Sequence, residues 1–422
     1  MKIKKIIKNL SFLFCPIIFI LCISALSMLN GIDIKPIVNK NNLSTDENQQ
    51  QEEAQITIQK TNPIKNQEMR AVWVPFMDID MKSDCNAEKF ENKIHEIITT
   101  AQNNKINTLI IHIRSHSDAL YPSKIFPWSH LLTGLQGQDP GFDPLKIIIE
   151  KAHKENIQIH AWINPFRIQC AGAPKNICKT NPAVLFANEP DFILTDGSDT
   201  YYNPANEKVQ ELIVEGIKEV VQNYDVDAIH LDDRFYPTDS ESFDKESYNQ
   251  YLKSVKSGND KPDLYKWRRE NINNLVSKIY KEIKSINNNI LFGISPEGNI
   301  NNAEKHGVDA KRWCSQPGYV DYICPQLYWS LDNPTLDFKT AANNWKNILK
   351  LDNVNLYFGL SLYKIGTDLD ENTWKLYDND ILKREIEYSR SIGCEGFMLY
   401  PYNCLIKPEV QNELLNVAKV FN

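Results

Sequence analysis

From Met69 onward, two spacings of apolar residues take turns along the chain. Short runs rich in β-branched and aromatic residues alternate sides as strands do, and longer segments repeat their apolar positions with the helical period. The strand-like runs are Met69–Val74 (MRAVWV), Ile106–Arg114, Ile157–Pro165, a stretch within Tyr224–Pro237, Ile290–Ser295, Tyr322–Tyr328, Asn355–Tyr363 and Gly396–Tyr402. Helical spacing occupies Ala87–Asn103, Pro144–Asn156 behind an Asp143 cap, Glu207–Tyr224, Trp267–Ile286 and Pro408–Val420. Eight strands with helical segments between them predict an α/β fold, a closed (β/α)8 TIM-like barrel.

Parity within the runs assigns their faces. Leu109, Ile111 and Ile113 share one side of the second strand, with His112 and Arg114 on the other. In the third strand Ile157, Ile159, Ala161 and Ile163 oppose Gln158, His160, Trp162 and Asn164. In the fourth, Ile229 and Leu231 oppose Ala228, His230 and Asp232. If the apolar sets pack under helices, the polar sets point into the barrel.

The fourth strand, YDVDAIHLDDRFYP, ends in Asp232 and Asp233, then Arg234, an aromatic pair and a proline that stops the ladder. Reacting groups of parallel barrels sit at the carboxyl ends of strands. Asp232 is therefore the expected nucleophile or stabilising carboxylate. Asp233 is a second catalytic candidate, and Glu297, after the fifth strand, is the expected acid, because glycoside hydrolysis uses two carboxyl groups about one bond. Aromatic and hydrogen-bonding residues gather at the other strand ends and in the loop after the second strand: Trp73, Arg114, Asp118, Tyr121, Trp128, His160, Trp162, Asn164, Arg167, His230, Tyr236, Gln326, Tyr328, Trp329, Tyr363 and Tyr400. Flat apolar faces beside amides and guanidinium groups suit sugar rings, so these are the candidate substrate-binding residues for a neutral glycan.

Composition narrows the alternatives. The 422 residues carry a formal charge of −7, and loss of the leader lysines Lys2, Lys4, Lys5 and Lys8 would make the chain more acidic still, so nucleic acid is not an expected partner. Those lysines precede an uncharged apolar run from Leu10 to Leu29, which reads as a signal peptide or membrane anchor over 1–30. Residues 31–66 are polar and poor in large apolar groups, as in a disordered tether, and 67–422 form the barrel. The protein is thus expected outside the cytoplasm, secreted or held to the membrane by its N-terminal segment. Cys85, Cys170, Cys178, Cys314, Cys324, Cys394 and Cys404 are an odd, scattered set that reads as free thiols, with Cys170 and Cys178 the one pair placed to bridge. No glycine-rich phosphate motif follows a strand, so no cofactor is implied. A metal held by His112, His160, His230 and Asp232, giving a hydrolase or deacetylase, and a non-catalytic glycan-binding barrel are the alternatives to a glycosidase.

The ordered motifs MRAVWV, NTLIIHIRSHSDALYPSKIFPWSHLLTG, GFDPL, HAWINPFR, NPANEKV, YDVDAIHLDDRFYP, RRENIN, FGISPEG and YVDYICPQLYW resemble glycosyl-hydrolase-like family 10, a group of bacterial exported barrel proteins. The resemblance runs from about Glu68 to Tyr402. It implies a TIM-like barrel acting on O-glycosyl bonds, with Asp232 and Asp233 matching the family's paired acids, and a cell-wall glycan such as peptidoglycan strands freed of their stem peptides, or another extracellular polysaccharide, as substrate. The chain departs from the family pattern at His112, where Gln is usual, and at Arg234, where Tyr is usual, which weighs against a family role for either and against the metal alternative.

Overall fold

The structure, a computed structural model, describes residues 67 to 421 apart from 82–83, 233, 257–260 and 378. The expected leader, the tether and Asp233 lie outside the described residues. No helix among the described residues is long and apolar enough to cross a membrane.

Nine parallel strands form one sheet that comes round on itself. In chain order they are β1 Met69–Val74, β2 Thr108–Arg114, β3 Gln158–Ile163, β4 Ala228–Leu231, β5 Leu291–Ile294, β6 Tyr322–Ile323, β7 Asn355–Leu356, β8 Phe358–Ser361 and β9 Gly396–Tyr400. β7 and β8 are two parts of one run interrupted at Tyr357. The first pairs with β6 and the second with β9, and the run lies between both neighbours along its length, with Gly359 N donating to Pro325 O at 2.9 Å and Glu395 N to Leu356 O at 3.0 Å. β6 is shorter than its sequence suggests because Pro325 lacks an N–H. The chain stays extended beyond it, with Gln326 N donating to Pro296 O at 3.0 Å and Leu327 N to Gly359 O at 2.9 Å.

The outer layer comprises α1 Ala87–Asn103, α2 Pro144–Lys154, α3 Glu207–Asn223, α4 Leu264–Ile286, α5 Phe338–Ile348, α6 Ile381–Ser391 and α7 Pro408–Ala418, with two short helices, Ile300–Lys305 and Ala310–Trp313, between β5 and β6. Helices α1 to α5 each begin at a side-chain cap, and α7 begins at Pro408. Asn86, Asp143, Asn206, Asp263 and Asp337 accept hydrogen bonds from N–H groups of the first turns of α1 to α5. α4 starts at Leu264, ahead of the expected Trp267, because Asp263 provides the cap. Buried Phe90, Ile94, Ile97, Ile98 and Ala101 form one stripe of α1.

Two apolar cores follow the strand parity. Val72, Val74, Leu109, Ile111, Ile159, Ala161, Ile229 and Leu231 pack against the helices, and burying each of these larger side chains contributes roughly 1.5–3 kcal/mol. Inside the barrel sit Ala71, Trp73, Ile110, Trp162, Ala228, Tyr322 and Met398. The loop after β3 carries a small antiparallel sheet of Arg167–Gln169, Asp199–Tyr202 and Ile193–Asp196, which stands beside the carboxyl end of β4. All seven cysteines of the described chain are unbridged, Cys170 and Cys178 included.

Candidate active site

The carboxyl ends of the strands open into three adjoining depressions. The first, about 230 Å³, is walled by Trp73, Phe76, Trp162, Tyr328 and Tyr400, with His112, Arg167, Asp232 and Gln326 supplying its polar groups. Arg167 and Asp232 also line a second depression, together with Asn164, Tyr201, Arg234 and Phe235. Gln326 and Tyr328 are likewise shared with a third, which adds Glu297, Trp329, Asn299, Asn302 and Lys364. Asp232 stands at the junction of two depressions because β4 ends at Leu231, one residue before it.

The floor is a chain of hydrogen bonds whose direction can be worked out. Trp73 Nε1 can only donate, and it reaches His230 Nε2 at 3.1 Å. A neutral His230 then carries its proton on Nδ1 and donates it to Tyr322 Oη at 2.9 Å. Tyr322 in turn donates to His160 Nδ1 at 2.9 Å, which leaves the proton of His160 on Nε2, a buried atom with no partner. Burial pushes His230 well below the ordinary imidazole range and His160 down to about 4, so neutral rings are the consistent state. His160 and His230 thus lie beneath the site and fix the indole of Trp73. Both nitrogens of His230 are engaged, and among the described residues no group of three His, Cys, Asp or Glu side chains is placed to hold a metal.

Above this floor several polar groups lack protein partners. The His112 ring stacks on Trp162 at a centroid distance of 3.8 Å, and both its nitrogens are buried and unpaired. Trp162 Nε1 and both carboxamide atoms of Asn164 make no hydrogen bond of normal geometry to the protein, although Trp162 and Asn164 lie close enough to Asp232 to lower its proton affinity. Buried donors and acceptors without partners are rare in folded proteins, and here they cluster on the walls of a cavity, as expected where a ligand completes the bonding.

Two carboxyl groups of the site are tuned in opposite directions. Burial raises Asp232 above the ordinary aspartate range, against the opposing influence of Arg167, Asn164 and Trp162. Glu297 is also pushed up by burial, but the hydrogen bond and charge of His306 and the Arg234 guanidinium outweigh it and hold the carboxyl low. Arg234 Nη2 donates to Glu297 Oε1 at 2.9 Å, and His306 Nδ1 lies 2.9 Å from Oε2. The two carboxyls thus shift in opposite directions, Asp232 toward tighter and Glu297 toward looser proton binding.

The cavities gather most of the residues expected from sequence, but not all. Tyr363 stands just outside, its ring 5.9 Å from Tyr328 and 6.1 Å from Tyr400. Arg114 turns away. The pairing of β2 with β3 slips between His112 and Arg114, and this bulge sends the Arg114 side chain outward to Gly216 of α3 and over the Phe126 ring at 4.3 Å. Tyr121 is buried in the same layer, 5.7 Å from the Tyr224 ring, and Trp128 packs half-buried against the helix-facing core. Asp118 accepts from Gln136 Nε2 at 3.1 Å and lies 3.0 Å from His130 Nδ1, tying the loop after β2 together. Tyr236 lies behind β4 beneath Arg268, with its hydroxyl accepting from Asn271 at 3.3 Å. Phe76, Met77, Asn299, Asn302 and Lys364 line the depressions without having been singled out. Only their position just past strand ends could have signalled them.

The architecture is that of the TIM-barrel class. The chain superposes on the β-galactosidase of Marinomonas ef1 with a TM-score of 0.57 at 10% identity, covering 84% of this chain and 59% of that one. It superposes on the catalytic domain of a β-amylase from Paenibacillus polymyxa with a TM-score of 0.55 at 12% identity, covering 83% and 98%. A family model described as Glycosyl hydrolase-like 10 matches residues 68–376, and the chain belongs to that family. It is 36% identical over 354 residues to Glycosyl hydrolase YngK of Bacillus subtilis (strain 168), covering 78% of this chain and 67% of the relative. To Glycosyl hydrolase DigH of Escherichia coli (strain K12) it is 30% identical over 369 residues, covering 81% and 82%. The protein is a glycoside-hydrolase-type barrel.

Proposed function

We propose that the protein is an exported glycoside hydrolase that cleaves a cell-wall glycan, peptidoglycan strands freed of their peptides being the leading substrate. The observation that carries the reading is Asp232, a half-buried carboxyl with raised proton affinity, set in an aromatic-walled cavity beside His112, whose two ring nitrogens are unpaired. Trp73, Trp162, Tyr328 and Tyr400 offer faces for the apolar sides of sugar rings, and Asn164, Arg167, His112 and Gln326 offer partners for hydroxyl and amide groups.

On these opposite shifts we assign the two roles the other way round from the sequence reading. Asp232 is the proton donor to the glycosidic oxygen, and Glu297 is the ionised carboxylate that faces the positive charge developing at the anomeric carbon. Arg167 keeps the proton on Asp232 from being held too tightly. Asp233 is the second acid to test beside it. The wall substrate and the exported location draw on the family resemblance and on the N-terminal apolar run.

Incubation of purified protein with peptide-free peptidoglycan, read by mass spectrometry, should release sugar fragments. Asp232→Asn should lower the rate by roughly 10²–10⁴-fold, the usual worth of a general acid. No product from the wild type, or undiminished product from the variant, would overturn the proposal. The engagement of both Glu297 oxygens favours a second reading, a non-catalytic glycan-binding barrel, which predicts retention on wall material with no cleavage.

A further inference from the structure

Beyond the three depressions already described lies a fourth, about 490 Å³, between the short helix Ile300–Lys305 and α5. It adjoins the third through Gly298 and Asn299, which line both. The shared segment is fixed from two sides. Trp345 Nε1 of α5 donates to Gly298 O at 2.6 Å, and a Cβ on Gly298 would stand 2.3 Å from Gln326 O and 2.5 Å from the Trp329 ring. Each depression thus shares two residues with the next: Arg167 and Asp232, then Gln326 and Tyr328, then Gly298 and Asn299.

The fourth depression has half-buried Leu336 and Ile348 as its apolar lining and Asn301, Asn344, Asn347 and Lys311 as its polar one. Asn344 and Asn347 sit three apart on α5, hence on one face, and neither carboxamide hydrogen-bonds another protein group among the described residues. Carboxamides both donate and accept, which matches vicinal hydroxyls and N-acetyl groups, and the apolar lining matches the C–H side of a pyranose.

We propose that this depression is a distal subsite for a further sugar unit of the same strand. The protein then binds a linear polymer along a track running from Asp232 past Trp329 to α5, with more binding positions on that side of Asp232 than on the other. Long strands are favoured over short ones, and scission falls near one end of the bound segment. The inference rests on the glycan-cleaving reading above and adds the length and direction of the substrate to it.

The test uses peptide-free peptidoglycan strands sorted into short and long fractions, with the full chain and an Asn344→Ala/Asn347→Ala variant. These side chains are exposed and do not hold the fold, so the variant should remain folded. The wild type should show a higher kcat/KM on long than on short strands, and the variant should lose several-fold of that ratio, chiefly through KM. A ratio unchanged by the variant overturns the distal subsite and leaves the hydrolase reading standing. If the wild type cuts neither fraction, the hydrolase reading fails, and binding of the same fractions decides the subsite. Tighter binding of long strands that the variant weakens supports it, and length-independent affinity overturns it.

Discussion

Tyr322 occupies a position where one hydroxyl serves two imidazoles. Tyr322→Phe keeps the ring and removes the hydroxyl, leaving His230 Nδ1 and His160 Nδ1 buried without partners. Each such loss costs about 1–3 kcal/mol, so chemical denaturation should show a drop of that order or more, with Trp73 fluorescence changing alongside because its indole loses a fixed acceptor. Neighbouring Gly293 of β5 is constrained by the same ring. A Cβ there would stand 2.0 Å from it, so Gly293→Ala should destabilise by at least the roughly 1–3 kcal/mol typical of overpacking, read in the same titration. At this scale the sequence was informative about direction and poor about partners. Parity placed His160, His230 and Trp162 inside the barrel, but nothing in the residues announced that one tyrosine would bind two histidines. Arg114 shows the limit of parity. A bulge of one residue reverses a side chain, and bulges leave no mark in the apolar pattern.

Among the elements, the packing of α6 against α7 carries an unusual pair. Glu385 of α6 and Glu413 of α7 are both fully buried, and of their carboxylate oxygens only one accepts a bond, from Leu382 N. Burial lifts both, and proximity to Glu413 lifts Glu385 further. Glu413 rises to about 7, with the backbone N–H of Leu382 and Ile381 opposing and Asp380 assisting. A carboxyl whose folded value lies above its unfolded one stabilises fully below the unfolded value, and that contribution disappears as pH climbs through the folded value. Urea midpoints should therefore fall between about pH 4.5 and pH 7, the window set by the unfolded glutamate value and the raised folded one, and Glu413→Gln should flatten the decline. A flat wild-type profile would remove the pair from the account. The helices themselves were legible because caps and apolar stripes coincide, as Asn86 with Phe90 and Ile94 does in α1. The split at Tyr357 was not, since the run reads as one strand and nothing in its apolar pattern marks the break.

For the whole molecule, the proposed role of Asp232 makes a prediction about pH. As the proposed acid Asp232 would act in its protonated form, and Arg167 is the largest influence opposing that form. Arg167→Met should raise the proton affinity of Asp232, moving the alkaline limb of kcat/KM upward in pH while weakening substrate binding. A limb that stays put would detach Arg167 from the acid. The barrel and the location of its mouth could be read from eight alternating segments and one acidic strand end. What could not be read was the third dimension of the loops, which brings Phe76 and Lys364 to the rim from strand ends remote from Asp232 in sequence. The floor beneath the acid has a last consequence. In the series Trp73, His230, Tyr322, His160 every hydrogen already has its place, and burial resists adding another. Under the proposed hydrolase reading it would work as an insulator: protons would be exchanged with the sugar and the bulk water above, and the buried rings would keep their neutral state.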